Sequence, residues 1–127
     1  MVFSTRFLHR KHVDVGMPLS QQELTEILPV LYKLLHSNCE GRECILEGVS
    51  EDIVRCLSEC AHNYLQGNLP ATVSQQTILQ KAQSKLKLLA STACPSKRKR
   101  RLLRRGAHFL GPLISIALPI LLKLISQ

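Results

Sequence analysis

Apolar residues fall into four helical stripes along the chain, separated by turn residues and by one run that is almost wholly cationic. Leu24, Ile27, Leu28, Leu31, Leu34 and Leu35 recur at helical spacing, which predicts a first helix starting at Ser20. Ser20 followed by Glu23 reads as a capping box, and Pro29 is expected to kink or split the helix. Asn38 to Glu43 reads as a turn. A second helix is predicted over about 51–65, capped by Ser50, with Ile53, Leu57, Cys60 and Tyr64 on one face and Val54, Ala61 and Leu65 beside them. Gly67 ends it, and Asn68-Leu69-Pro70 turns the chain. A third helix is predicted from near Ser74 to about Ser91. Ile78, Leu79, Ala82, Leu86 and Leu89 face inward there, and Lys81, Lys85 and Lys87 face out. Ser96 is placed to cap a fourth helix through the basic run.

The last stripe differs from the others. Between Ala107 and Ile125 only His108 and Lys123 are ionisable. His108, Pro112, Ser115, Pro119, Lys123 and Ser126 follow at spacings of 4, 3, 4, 4 and 3, which is a single narrow line on a helix. The rest of the circumference is Phe, Leu, Ile and Ala. The uncharged stretch from Phe109 to Leu122 would make a helix of about 21 Å, against about 30 Å for a bilayer core. The pattern is expected of a helix lying in a membrane surface, with Phe109, Leu110, Leu113, Ile114, Ile116, Leu118, Ile120, Leu121, Leu122 and Leu124 facing lipid. A tail anchor and a helix that completes the protein's own core show the same pattern.

These elements give an all-α fold: an irregular arm over 1–18, a domain of three helices over 19–92, a basic linker or short helix over 93–106, and an amphipathic apolar helix over 107–127. Composition agrees. The chain has 127 residues, no Trp, two Tyr and three Phe, so its core must be built from aliphatic side chains. The arm carries Arg6, Arg10 and Lys11 and no continuous apolar run, which does not read as a secretory signal. The five cysteines are therefore expected to be reduced thiols in cytosol or nucleus.

Charge changes the picture most. Met1 to Ser96 holds nine Lys/Arg and nine Asp/Glu, so the net charge of +8 comes from the eight cations after Ser96. Seven of these are Lys97, Arg98, Lys99, Arg100, Arg101, Arg104 and Arg105. With no aromatic interleaved and no base-reading motif, they are expected to bind nucleic acid without sequence preference, or anionic lipid headgroups. Seven phosphate contacts would give a log–log salt slope of roughly −6. The run also has the composition of a nuclear import signal.

Candidate chemistry is sparse. Cys39, Cys44, Cys56 and Cys60 could make a four-thiolate zinc set, but their C-x4-C-x11-C-x3-C spacing is not a standard zinc pattern, and cysteines one helical turn apart more often serve as small core residues. His62 near Cys60 has no oxyanion loop to work with. No phosphate loop, carboxylate pair or nucleophile elbow is present, so neither an enzyme nor a resident cofactor is expected.

Two stretches carry a resemblance. Glu59-Cys60-Ala61-His62-Asn63-Tyr64-Leu65-Gln66-Gly67-Asn68-Leu69-Pro70 resembles the pattern E-C-x-x-N-x-L-x-G-N-x-P. Lys97-Arg98-Lys99-Arg100-Arg101-Leu102-Leu103, then Gly106 and Phe109-Leu110, resembles K-R-R-L-L-x-x-G-G-F-L, with Ala107-His108 in place of the second glycine. In this order they resemble small basic and apolar proteins of adintoviruses and Maverick (Polinton) elements, which are similar in character to the adenovirus core peptide mu and to membrane-active capsid proteins. The resemblance implies a minor virion protein that contacts packaged DNA, membranes and other virion proteins, located in the virion and in the host nucleus or cytoplasm. The rival expectation is a tail-anchored adaptor facing the cytoplasm, whose helical domain binds a protein partner.

Overall fold

The computed structural model describes residues 21–105 and 107–125. The expected Ser20 cap and the arm over 1–18 lie outside them. Seven α-helices and no strand occur among the described residues, so the protein is all-α. The helices are α1 (Gln21–His36), α2 (Cys39–Glu47), α3 (Glu51–Leu65), α4 (Val73–Lys81), α5 (Gln83–Ala90), α6 (Ser96–Arg105) and α7 (Leu110–Ile125), with a 3₁₀ turn at Ala107–Phe109 before the last.

Local chemistry sets the boundaries. Pro29 does not divide α1, which runs unbroken from Gln21 to His36 with the proline on its exposed face. The segment read as a turn forms α2 instead: Asn38 Oδ1 accepts from the Gly41 N–H at 2.7 Å and caps it. Asn suits turns and N-caps alike, and the short, weakly apolar segment behind it gave no helical stripe. Ser50 caps α3 as expected, its Oγ accepting from the Ile53 N–H at 3.4 Å. The predicted third helix begins one cap earlier, at Thr72, where Thr72 and Gln75 form a reciprocal capping box. It then breaks at Ala82 (φ −103°, ψ 19°) into α4 and α5. Ile78, expected inside, is 39% exposed, whereas Leu79, Ala82, Leu86 and Leu89 are buried.

The core is continuous and runs through every helix except α2's outer turns and α4's outer face. Leu31 and Leu34 of α1, Leu57 of α3, Leu86 and Leu89 of α5, and Leu103 of α6 are all but inaccessible. Phe109, Leu110 and Leu113 join them from the C-terminal segment. The most extensive helix pairing is α1 with α7, followed by α3 with α5. α7 also touches α3 and α4, while α6 packs on α2, α3 and α5. The basic segment over 93–106 and the apolar one over 107–127, expected to follow a three-helix domain, pack against its helices. Both segments are part of the packed body.

One polar connection ties three helices together. Arg42 of α2 donates from Nε to the Leu34 carbonyl in the last turn of α1 at 2.9 Å. Its guanidinium lies over Gly111 of α7, where a Cβ would come within 3.1 Å of Nη2. A side chain at position 111 would press on the group that closes the end of α1.

Candidate nucleic-acid interface

The basic run divides in two when α6 packs. Arg98 and Lys99 N–H groups both reach the Pro95 carbonyl at 3.1 Å, which starts the helix without a side-chain cap. Leu103 is buried and Leu102 half-buried, so this edge of α6 faces the body. Lys99 is carried inward with it, 6% exposed, and its Nζ donates to Ser58 Oγ of α3 at 3.0 Å. Arg100 is half-buried, with Nη1 donating to the Val49 carbonyl and Nη2 3.4 Å from Glu51 Oε2.

The other five cations, Lys97, Arg98, Arg101, Arg104 and Arg105, are exposed. At 100° per residue they occupy about 120° of the helix circumference and about 12 Å of its length. A stripe of five cations without an intervening acid is a multivalent partner for closely spaced negative charges. It has no aromatic ring on which a base would stack and no Asn or Gln amide for an adenine edge. Its chemistry is that of phosphate contact.

Ser96 does not cap α6 as the sequence suggests. Its hydroxyl donates to Glu51 Oε2 at 2.7 Å. Burial pushes the Glu51 carboxyl upward, but the Ser96 hydroxyl and the Arg100 guanidinium outweigh it and hold the group below the usual carboxylate range. Glu51 stands at the start of α3, where the helix dipole also favours its charge.

Eight of the ten residues expected to face lipid lie in or against the core. Phe109, Leu110, Leu113, Ile114, Ile116 and Leu121 are 0–6% exposed and lie in the core. Leu118 and Ile120 are half-buried against it, and Leu122 is 54% exposed. The Leu124 side chain lies outside the described residues. The polar line read from the sequence does face outward: His108, Ser115, Pro119 and Lys123 are exposed and Pro112 is half-buried. The proline spacing therefore locates solvent correctly, but the opposite face meets protein. Among the described residues no single helix is long and apolar enough to cross a membrane. α6 and α7 together have the length and composition, but they are bent by 115°.

The motif around Glu59 has a structural use that sequence reading missed. Glu59 and Asn63 are fully buried, and Asn63 Nδ2 donates to the Glu59 carbonyl at 2.9 Å and to Oε1 at 3.2 Å. Asn68 Nδ2 donates to Asn63 Oδ1 at 3.1 Å, and the Asn68 N–H reaches the Asn63 carbonyl at 2.8 Å. Gly67 takes φ +77°, the left-handed conformation that closes α3. The spacing E-x3-N-x3-G-N is thus the closure of one helix end.

Cys56 and Cys60 are buried one turn apart on α3, and Cys44 is exposed on α2; the Cys39 side chain lies outside the described residues. The hydrogen bond with Cys56 and then burial push the Cys60 thiol well above its ordinary value. No group of three His, Cys, Asp or Glu able to hold a metal occurs among the described residues. An open groove of about 690 Å³ beside the end of α3 is walled by Tyr64, Leu65, Pro70, Gln76, Gln80 and neighbours, none carrying a carboxylate, thiol or ammonium.

Fold and site together describe a small helical body presenting one strip of fixed positive charge. Comparison with protein-family models, curated proteins and solved structures finds no match.

Proposed function

We propose that this protein binds nucleic acid through the phosphate backbone, without sequence preference, and that α6 is the binding element. The observation that carries the reading is the division of the basic run: five exposed cations on one arc, with Leu103, Lys99 and Arg100 fastening the helix to the body behind them. A free basic peptide would lose helix to repulsion between like charges one turn apart. Here buried contacts hold the helix in shape before a ligand arrives, so less ordering is needed on binding.

The same division favours nucleic acid over a membrane. Stable lipid attachment combines basic residues with an apolar insertion. The apolar residues that would supply it are largely enclosed by α1, α3 and α4. The virion setting implied by the sequence resemblance is compatible with this reading, with the protein as a small charge-neutralising companion of packaged DNA.

The test is a binding isotherm of the full chain on a random-sequence duplex at several salt concentrations. Five phosphate contacts predict a log–log slope of about −4.5 rather than the roughly −6 of seven. Affinity should be equal on an unrelated duplex. Binding that ignores salt, or that a scrambled duplex abolishes, refutes the reading. Tighter binding to anionic vesicles than to duplex would transfer the site to lipid.

A further inference from the structure

Ser96 and Arg100 stand one turn apart on α6 and converge on one oxygen. The Ser96 hydroxyl donates to Glu51 Oε2 at 2.7 Å, and Arg100 Nη2 approaches the same atom at 3.4 Å. A hydroxyl and a guanidinium closing on a single oxyanion oxygen are the donors with which proteins hold phosphate. The anion held here is the chain's own. The location is accessible: the Glu51 side chain is 42% exposed and that of Arg100 29%. It also adjoins the stripe, since Arg100 lies about 40° round the helix from Arg104.

We propose that Glu51 is an internal stand-in for a phosphate: it occupies the Ser96–Arg100 donor pair, keeps that pair from the polyanion on the neighbouring stripe, and so sets how many cations of α6 the ligand engages. This rests on the nucleic-acid reading above. For a phosphate to take the place it must displace a carboxylate of comparable strength, so the exchange gains little. Arg100 is then a cation in reserve. It adds to the net charge of the run but not to the contacts made by the wild-type protein. Removing the carboxylate, while keeping a side chain of the same shape, hands Ser96 and the Nη2 of Arg100 to the ligand, while Nη1 stays on the Val49 carbonyl. A Glu51 that merely fastened α6 would behave in the opposite way, because its loss would loosen the helix and weaken binding.

The experiment uses the full chain and a random-sequence duplex of about two helical turns, titrated across salt, with melting curves to establish that each variant is folded. Glu51→Gln is expected to steepen the salt slope by about 0.9 and to tighten binding by up to about 8-fold near 0.1 M salt. Arg100→Gln in the otherwise wild-type chain should leave the slope unchanged, whereas Arg104→Gln should make it shallower by about 0.9. A Glu51→Gln slope equal to or shallower than wild type overturns the proposal. So does an Arg100→Gln loss as large as that of Arg104→Gln, and this second result decides the matter even if Glu51→Gln fails to fold. Wild-type protein that shows no salt-dependent binding removes the parent reading along with this one. Normal wild-type binding with the wrong response at Glu51 or Arg100 removes only the role of Glu51.

Discussion

Leu121 and Leu122 are neighbours of identical composition on one helix, and the structure gives them opposite surroundings. Leu121 is 1% exposed in the core and Leu122 is 54% exposed. Truncating a buried leucine removes its transfer energy and leaves a cavity, together about 2–5 kcal/mol. Truncating an exposed one changes stability by no more than about 0.5 kcal/mol. For a chain of this size about 4 °C of melting temperature accompanies each kcal/mol. Leu121→Ala should therefore melt about 8–20 °C below wild type, and Leu122→Ala within about 2 °C of it. With no tryptophan in the chain, far-ultraviolet circular dichroism under heat and urea is the suitable readout. The same two variants should be tested for pelleting with anionic vesicles. If they melt together and both lose vesicle binding, α7 works in lipid and the packing described above is wrong.

Lys99→Met should leave the salt slope of duplex binding untouched while costing about 1.5–3 kcal/mol of stability in urea, because Lys99 Nζ serves Ser58 and not the ligand. Gly67→Ala should cost about 1–2 kcal/mol in the same assay, since a Cβ at φ +77° is strained although the space around it is open. An alkylating reagent followed by mass spectrometry should label Cys44 in the native protein, and Cys56 and Cys60 only under denaturant. Glu51, held below the usual carboxylate range, contributes stability above the unfolded-state value that is lost as pH falls through the folded one. Acid melts of wild type should decline through that window more steeply than those of Glu51→Gln.

The helical class, the α3 stripe, the Ser50 cap and the outward line on α7 were all legible, because each depends on spacing within one helix. What spacing could not convey was the identity of the medium against the apolar face. Leu110, Leu113, Ile114 and Leu121 have the same periodicity whether lipid or α1 covers them. The basic run failed to declare its interior members for a related reason. Lys99 and Arg100 are chemically like their neighbours, and only the positions of Leu102 and Leu103 beside them mark the inward edge. α2 was missed because Asn38 signals a turn as readily as a cap. The motif from Glu59 to Asn68 was visible as a pattern, but its meaning needed the hydrogen bonds that join Asn63 to both ends of it.

The pairing of α1 with α7 also bears on how the molecule can be dissected. Segments near opposite extremes of the described chain are each other's main cover, so separating them strips both. A fragment spanning the cationic helix and the oily one would display Phe109, Leu113 and Leu121 to whatever surrounds it, and it would adhere to detergent, vesicles or its own copies for that reason alone. The remainder would be left with Leu31 and Leu34 bare and would be prone to clump. Affinities measured on either half would report the wound made by the cut, so a unit whose binding has meaning keeps α1 and α7 together.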